Sequence, residues 1–149
     1  RSGFVLVAFL PIILGERHFY VDPEVGFVGK RCGEPGNPCR SFSDVVAAAE
    51  QAPNIVVHLS AGRHKWKGGV FMSQLPHVST LRLVGTGLDS TILDAGAAGR
   101  QVSCSGRDQS VELSNMSLVN AEMLAPPGGG AVLWNCSSLS VNNCRFFGN

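Results

Sequence analysis

Apolar and polar residues alternate in two stretches near the end of the chain, residues 110–121 and 138–149, and the alternation breaks at the same place in both. Val111, Leu113, Met116 and Leu118 in the first stretch match Leu139, Val141, Cys144 and Phe146 in the second at an offset of 28 residues, and Asn115 matches Asn143. Period-two alternation marks a strand with one buried face, so each copy reads as two short strands around a polar break. Strand chemistry repeated at a period in the twenties predicts a stacked solenoid, because a single coil cannot cover its own apolar row. Fainter copies precede it, with Leu81 and Leu83 in residues 79–85 and Ile55, Val57 and Leu59 in residues 54–60. Their unequal spacing suits coils whose loops bulge from one side. A β-sandwich of short strands and Gly-rich turns has similar spacing, and the pattern alone leaves both architectures open.

Between these copies and the start of the chain lies one helical signature. Ser41 and Asp44 form an S-x-x-D capping box, and Val45, Val46, Ala48, Ala49 and Ala52 form an apolar stripe that Pro53 ends. The expected helix has about three turns. It is a lid for the open apolar end of the first coil or, in an α+β domain, a helix packed on the side. Before it, residues 18–22 read as a short strand and residues 23–40 as a Gly/Pro loop; after it, residues 61–69 read as a loop.

Residues 4–15 form a 12-residue apolar run behind Arg1. Spanning a bilayer takes about 20 apolar residues, so the run is too short for that and fits the core of a secretory signal, with a buried first element as the other reading. Residues 1–15 are therefore expected to be signal-like, and residues 16–149 the N-terminal part of the solenoid domain.

With 149 residues, 44% of them hydrophobic and only 15% charged, the chain has the makings of one packed domain. A net charge of +1 argues against a nucleic-acid partner, which would need a concentrated basic face. Five cysteines agree with export. Cys32 and Cys39 bracket a tight Gly/Pro loop and form the best single disulfide pairing, while Cys104 and Cys136 fall on neighbouring coils and are the next candidates. Cys144 occupies an apolar slot in the repeat. The spacing contains no C-x-x-C pair and the histidines are scattered, so no metal site and no cofactor is expected.

Three stretches carry a family likeness: Tyr20-Val21-Asp22 followed by Pro38-Cys39-Arg40-Ser41-Phe42 and the Ala-rich helix; Leu83-Val84-Gly85-Thr86-Gly87 followed by Ser90-Thr91-Ile92-Leu93-Asp94; and residues 128–149. Here the chain resembles the right-handed parallel β-helix of the pectin-lyase-like superfamily. Gly129-Gly130-Ala131-Val132 and Phe146-Phe147-Gly148-Asn149 are also similar to one polymorphic outer membrane protein repeat, marked by G-G-A-[ILV] and F-x-x-N. The resemblance implies an all-β solenoid in a secreted or cell-surface protein. Such proteins adhere to extracellular polysaccharides or cell-surface glycans, or are enzymes that cleave or de-esterify acidic polysaccharides.

Asn115 and Asn143 are expected to form a buried ladder of side-chain amides at successive bends. Asn115 also opens an N-x-S sequon, as does Asn135, and the ladder role at 115 leaves Asn135 as the glycosylation candidate. The acids Asp89, Asp94, Asp108, Glu112 and Glu122 do not cluster along the chain, so no catalytic residue is assigned. Arg63, Lys65, Trp66 and Lys67 form the one basic and aromatic cluster. They would meet an acidic glycan if Trp66 is exposed to stack on a sugar; if Trp66 tucks against the coil below, the segment is a solvated loop. The leading expectation is a non-catalytic scaffold for adhesion or carbohydrate contact. Its rival is the N-terminal part of a polysaccharide lyase or other carbohydrate-active enzyme of the pectin-lyase-like fold.

Overall fold

A computed structural model describes residues 16–49, 51–66, 69–104, 108–121, 132–134 and 136–148. Within them the chain is all-β apart from one helix, α1 (Phe42–Ala49), and a 3-10 turn at Met72–Gln74. The strands are β1 (Glu16–Val21), β2 (Asn54–Leu59), β3 (Gly62–Lys65), β4 (Val70–Phe71), β5 (Thr80–Val84), β6 (Thr91–Asp94), β7 (Val102–Cys104), β8 (Ser110–Val119), β9 (Val132–Trp134) and β10 (Ser138–Phe147).

Every strand pairing in the two sheets is parallel. Along one stack β1 pairs β2, β2 pairs β5, β5 pairs β8 and β8 pairs β10; a second stack joins β3, β6, the end of β8 and the end of β10; β4, β7 and β9 form the separate three-stranded sheet. β8 takes part in both stacks because its first half pairs β5 and its second half pairs β6, while β10 covers its opposite edge along nearly its whole length. The larger sheet therefore curls where β8 bends, at Asn115.

The register places like with like. Ile55, Leu81, Val111 and Leu139 stand in one row, and Phe19, Val57, Leu83, Leu113 and Val141 in the next. From Phe19 to Leu118 these inward side chains are at most 2% exposed, whereas Val141 and Phe146, on β10, are about 40% exposed. Covering each such Val or Leu stabilises the fold by about 2 kcal/mol, so the rows are the principal driving force for stacking. Among the described residues nothing lies over the free edge of β10.

The bend in β8 is made by a residue, not by a loop. Asn115 and Asn143 have φ values of 58° and 50°, a left-handed conformation that Asn tolerates better than most side chains. The Asn143 amide donates to Asn115 Oδ1 at 2.9 Å, so the ladder forms across the 28-residue repeat. It is less buried than expected: Asn115 is half-buried and Asn143 exposed, because among the described residues no further strand stacks on β10. Gly85 occupies the corresponding corner on β5, where a Cβ would sit 2.3 Å from the Asn115 carbonyl oxygen.

Helix α1 begins as its capping box predicts, with the Ser41 amide donating to Asp44 Oδ2 at 3.1 Å and the Ser41 hydroxyl bonding the same oxygen at 2.7 Å. Phe42, Val45, Ala48 and Ala49 are buried and enter the core beside β1. The helix has eight residues rather than three turns. Pro53 disfavours helical backbone at Ala52, and the chain leaves the helix before it. Residues 62–65, expected in a loop, are strand β3. His64 takes the inward position that an apolar residue would normally mark, and this hides the alternation.

Cys32 is disulfide-bonded to Cys39, with Cα atoms 4.7 Å apart, and Cys104 to Cys136, with Cα atoms 5.7 Å apart. The pairs pin the loop between β1 and α1 and tie β7 to the approach of β10. Two disulfides point to maturation outside the reducing cytoplasm. Among the described residues no helix is long and apolar enough to cross a membrane. Residues 1–15, with the expected signal-like segment, lie outside the described residues.

Replacing Asn115 separates the two roles of the bend. Asn115→Gly keeps the left-handed backbone and loses the amide ladder, at a cost of about 1 kcal/mol. Asn115→Ala loses the ladder and strains the backbone as well, for a total of about 2 kcal/mol. Urea unfolding should rank the three proteins in that order, and equal stability of the Gly and Ala variants would contradict this account of the bend.

Candidate basic cleft

Alternation along β3 turns His64 inward and leaves Arg63 and Lys65 exposed on the outer side. Arg63 Nε donates to Asp94 Oδ2 at 2.7 Å, across to neighbouring β6. Asp94 is only 6% exposed, and its other oxygen accepts from the Gly96 amide at 2.8 Å and from Asn120 Nδ2 at 3.0 Å. Burial alone would raise the carboxyl pKa. The Gly96 amide, Arg63 and Asn120 outweigh it, and Asp94 is held below the usual carboxylate range. A fixed anion thus orients Arg63 through Nε.

Arg40 is oriented in a similar way. Its Nε donates to the Gly26 carbonyl at 3.3 Å, in the segment between β1 and α1. Arg40, Arg63 and Lys65 line one cleft of about 470 Å³ together with Glu24, Ser41 and Trp66. Three cations face one carboxylate on its walls. Neither arginine makes a hydrogen bond through its terminal Nη groups among the described residues, so both retain the paired donors that match a carboxylate or sulfate.

The indole of Trp66, a candidate for sugar stacking, is buried at 4% exposure. It packs against Phe42 of α1 at 5.3 Å between ring centroids and meets the edge of His64 at 6.1 Å. Of the two readings left open for Trp66, this is the one in which the ring tucks inward, and the cause is simple: a large apolar ring beside the helix gains more from the core than from solvent. Trp66 shapes the cleft from behind. Lys67 and the glycosylation candidate Asn135 lie outside the described residues, as do Gly129, Gly130, Ala131 and Asn149 of the repeat likeness. Met116 and Ser117, which complete the sequon at Asn115, are buried. Cys144 is half-buried in its apolar slot, and burial pushes its thiol up.

Arg40, Glu24 and Asp94 had no sequence signal linking them to Arg63. Arg40 and Glu24 reach the cleft from the segment between β1 and α1, and Asp94 reaches Arg63 because β6 stacks on β3. The S-x-x-D box, which fixes where the loop becomes α1, is the nearest thing to a clue. Among the described residues no three His, Cys, Asp or Glu side chains are grouped to hold a metal ion.

His64, inward beneath Arg63 and Lys65, makes the stability of the fold depend on pH. Its Nε2 donates to the Ser60 carbonyl at 2.8 Å, and Nδ1 is buried without a partner among the described residues. Burial holds its pKa below the usual 6.5, against the smaller opposing pull of the Ser60 carbonyl and Asp22. Below about pH 6.5 the unfolded chain takes up a proton that the folded chain resists, so stability falls as pH drops. Urea midpoints should decline between about pH 7.5 and 5.5, and His64→Gln should flatten that decline. An unchanged slope in the variant would rule out His64 as its source.

Comparison with known protein families, with curated proteins and with solved structures finds no match to this chain.

Proposed function

We propose that this chain is a segment of right-handed parallel β-helix of the pectin-lyase-like kind, working outside the cytoplasm as a non-catalytic scaffold that contacts acidic glycans. The reading of the fold is supported by the order in which strands recur. β2, β3 and β4 are followed by β5, β6 and β7 in the same sequence of stacks, then by the two halves of β8 and by β9, and β10 starts the next round. Two disulfides support a secreted or cell-surface setting.

One observation carries the ligand class: Arg40 and Arg63, each anchored through Nε, converge with Lys65 on one cleft against a single carboxylate, Glu24. Anchored guanidinium groups lose less freedom on meeting a carboxylate or sulfate than free ones do. The partners that suit this cleft are extracellular polysaccharides or cell-surface glycans bearing uronate or sulfate groups.

The protein should be retained on immobilised polygalacturonate or heparin at low salt and released as salt rises. The double substitution Arg63→Glu with Lys65→Glu should weaken binding at least tenfold, about 1.4 kcal/mol. Asp94→Asn should weaken it less, by loosening Arg63 without removing its charge. Equal retention of the charge-reversed protein would eliminate the cleft as the contact. Release of unsaturated oligogalacturonides by the protein would replace the scaffold reading with that of a lyase.

A further inference from the structure

A second groove lies on the other side of the corner at Ser60, where the chain turns from β2 to β3, on the outer face of β1, β2 and β5. It has a volume of about 370 Å³ and is lined by Tyr20, Asp22, Pro35, Pro38, His58 and Val84, among others. Its floor is an ordered stack of rings. The Tyr20 and His58 rings lie 4.5 Å apart and 13° from parallel, as the register that pairs Tyr20 with His58 requires, and His18 stacks on His58 at 5.2 Å.

A chain of hydrogen bonds sets the proton positions. His18 Nε2 bonds Glu16 Oε1 at 2.8 Å, and His18 Nδ1 bonds His58 Nε2 at 2.9 Å. The Glu16 carboxylate only accepts, so His18 donates from Nε2. With both rings uncharged, His18 Nδ1 must then accept from His58 Nε2–H. That leaves His58 Nδ1 as a bare acceptor, with no partner among the described residues. Burial holds the His58 pKa below its usual value, and nearby His18 and Arg82 push it the same way. The charged and titratable groups around the ring are Glu16, His18, Tyr20 and Asp22 from β1 and its end, and Arg82 from β5.

The rest of the lining narrows the ligand. Tyr20, Pro35, Pro38 and Val84 present apolar surface, His58 Nδ1 can accept a hydrogen bond from a hydroxyl, and Asp22 brings negative charge. No lysine or arginine is among the described residues that line the groove. A uronate or sulfate would meet the Asp22 carboxylate with no cation among the lining residues to offset it, Arg82 standing beside the groove and not in its wall. A ring with one apolar C–H face and hydroxyl groups at its edge matches both the walls and the acceptor.

We propose that this groove is a second binding site, separate from the basic cleft, and that it takes a neutral saccharide whose hydroxyl donates to His58 Nδ1. The proposal goes beyond the acidic-glycan reading and stands without it. Protonating His58 removes the acceptor, so binding weakens as pH falls through the His58 titration.

NMR titration of the isotope-labelled protein with cellobiose, lactose and mannobiose at millimolar concentration tests it. At least one of the three should shift the Tyr20 and His58 ring signals saturably. The affinity should fall, in the unmodified protein, over the same pH range in which the His58 signal titrates. His58→Phe, which keeps a stacking ring but no acceptor, should weaken binding at least tenfold. Pro35→Ala, at an exposed wall position, should weaken it by a smaller factor and serves if the first variant does not fold. The double substitution Arg63→Glu with Lys65→Glu should leave this binding unchanged, so failure of the basic cleft and failure of the groove are read separately. The proposal is overturned if none of the three sugars shifts these signals, or if a proline-rich peptide or digalacturonate occupies the groove in their place.

Discussion

Each apolar row of this protein is covered only when the next parallel strand arrives in register. Strand side chains alternate with period two, so a slip of β8 by one residue would carry Val111 and Leu113 from the inside to the outside together. The cost would be borne by every inward side chain of the slipped strand, at about 2 kcal/mol each. This makes the register the constraint to which bends, loops and outer surfaces must conform. Loops between strands are free to vary so long as they return the chain to the same row.

Corners feel the constraint most directly. Successive coils turn at nearly the same place, and backbone atoms of one coil lie against those of the next. At that place β2 ends before Ser60, β5 ends before Gly85 with no room for a Cβ, and β8 and β10 turn through left-handed Asn115 and Asn143. The two asparagines hold the bend by bonding to one another. A short polar residue that accepts positive φ serves both needs, which explains why the polar break recurs at this spacing.

The outer faces carry what the register leaves over. On one side of the Ser60 corner a buried Asp94, held by two further donors, anchors Arg63 beside Arg40 and Lys65. On the other, Tyr20 and His58 stack because β1 and β2 place them opposite one another. The electrostatics of the two sides differ accordingly. The first gathers cations, while the second has an uncharged acceptor and a carboxylate.

The repeat of residues 110–121 in residues 138–149, the capping box of α1 and the Cys32–Cys39 pairing were legible in the chain because each depends on neighbours in sequence or on a regular period. β3 was not, since its inward residue is His64 and its last neighbour inward is Trp66, so no apolar alternation announces it. β7, with three residues, is too short for a pattern. The Arg63, Lys65 and Trp66 cluster could be read as a group, but whether its ring faced outward could not. That depended on Phe42, which belongs to a helix more than twenty residues earlier. By itself the sequence determined the strand chemistry, the rows and the places where the backbone bends, because alternation and turn residues are local properties. Only the tertiary structure decided which outer side chains share a cleft, because stacking brings together Arg40, Arg63 and Asp94, and likewise Tyr20 and His58, from coils whose separation along the chain carries no trace of the contact.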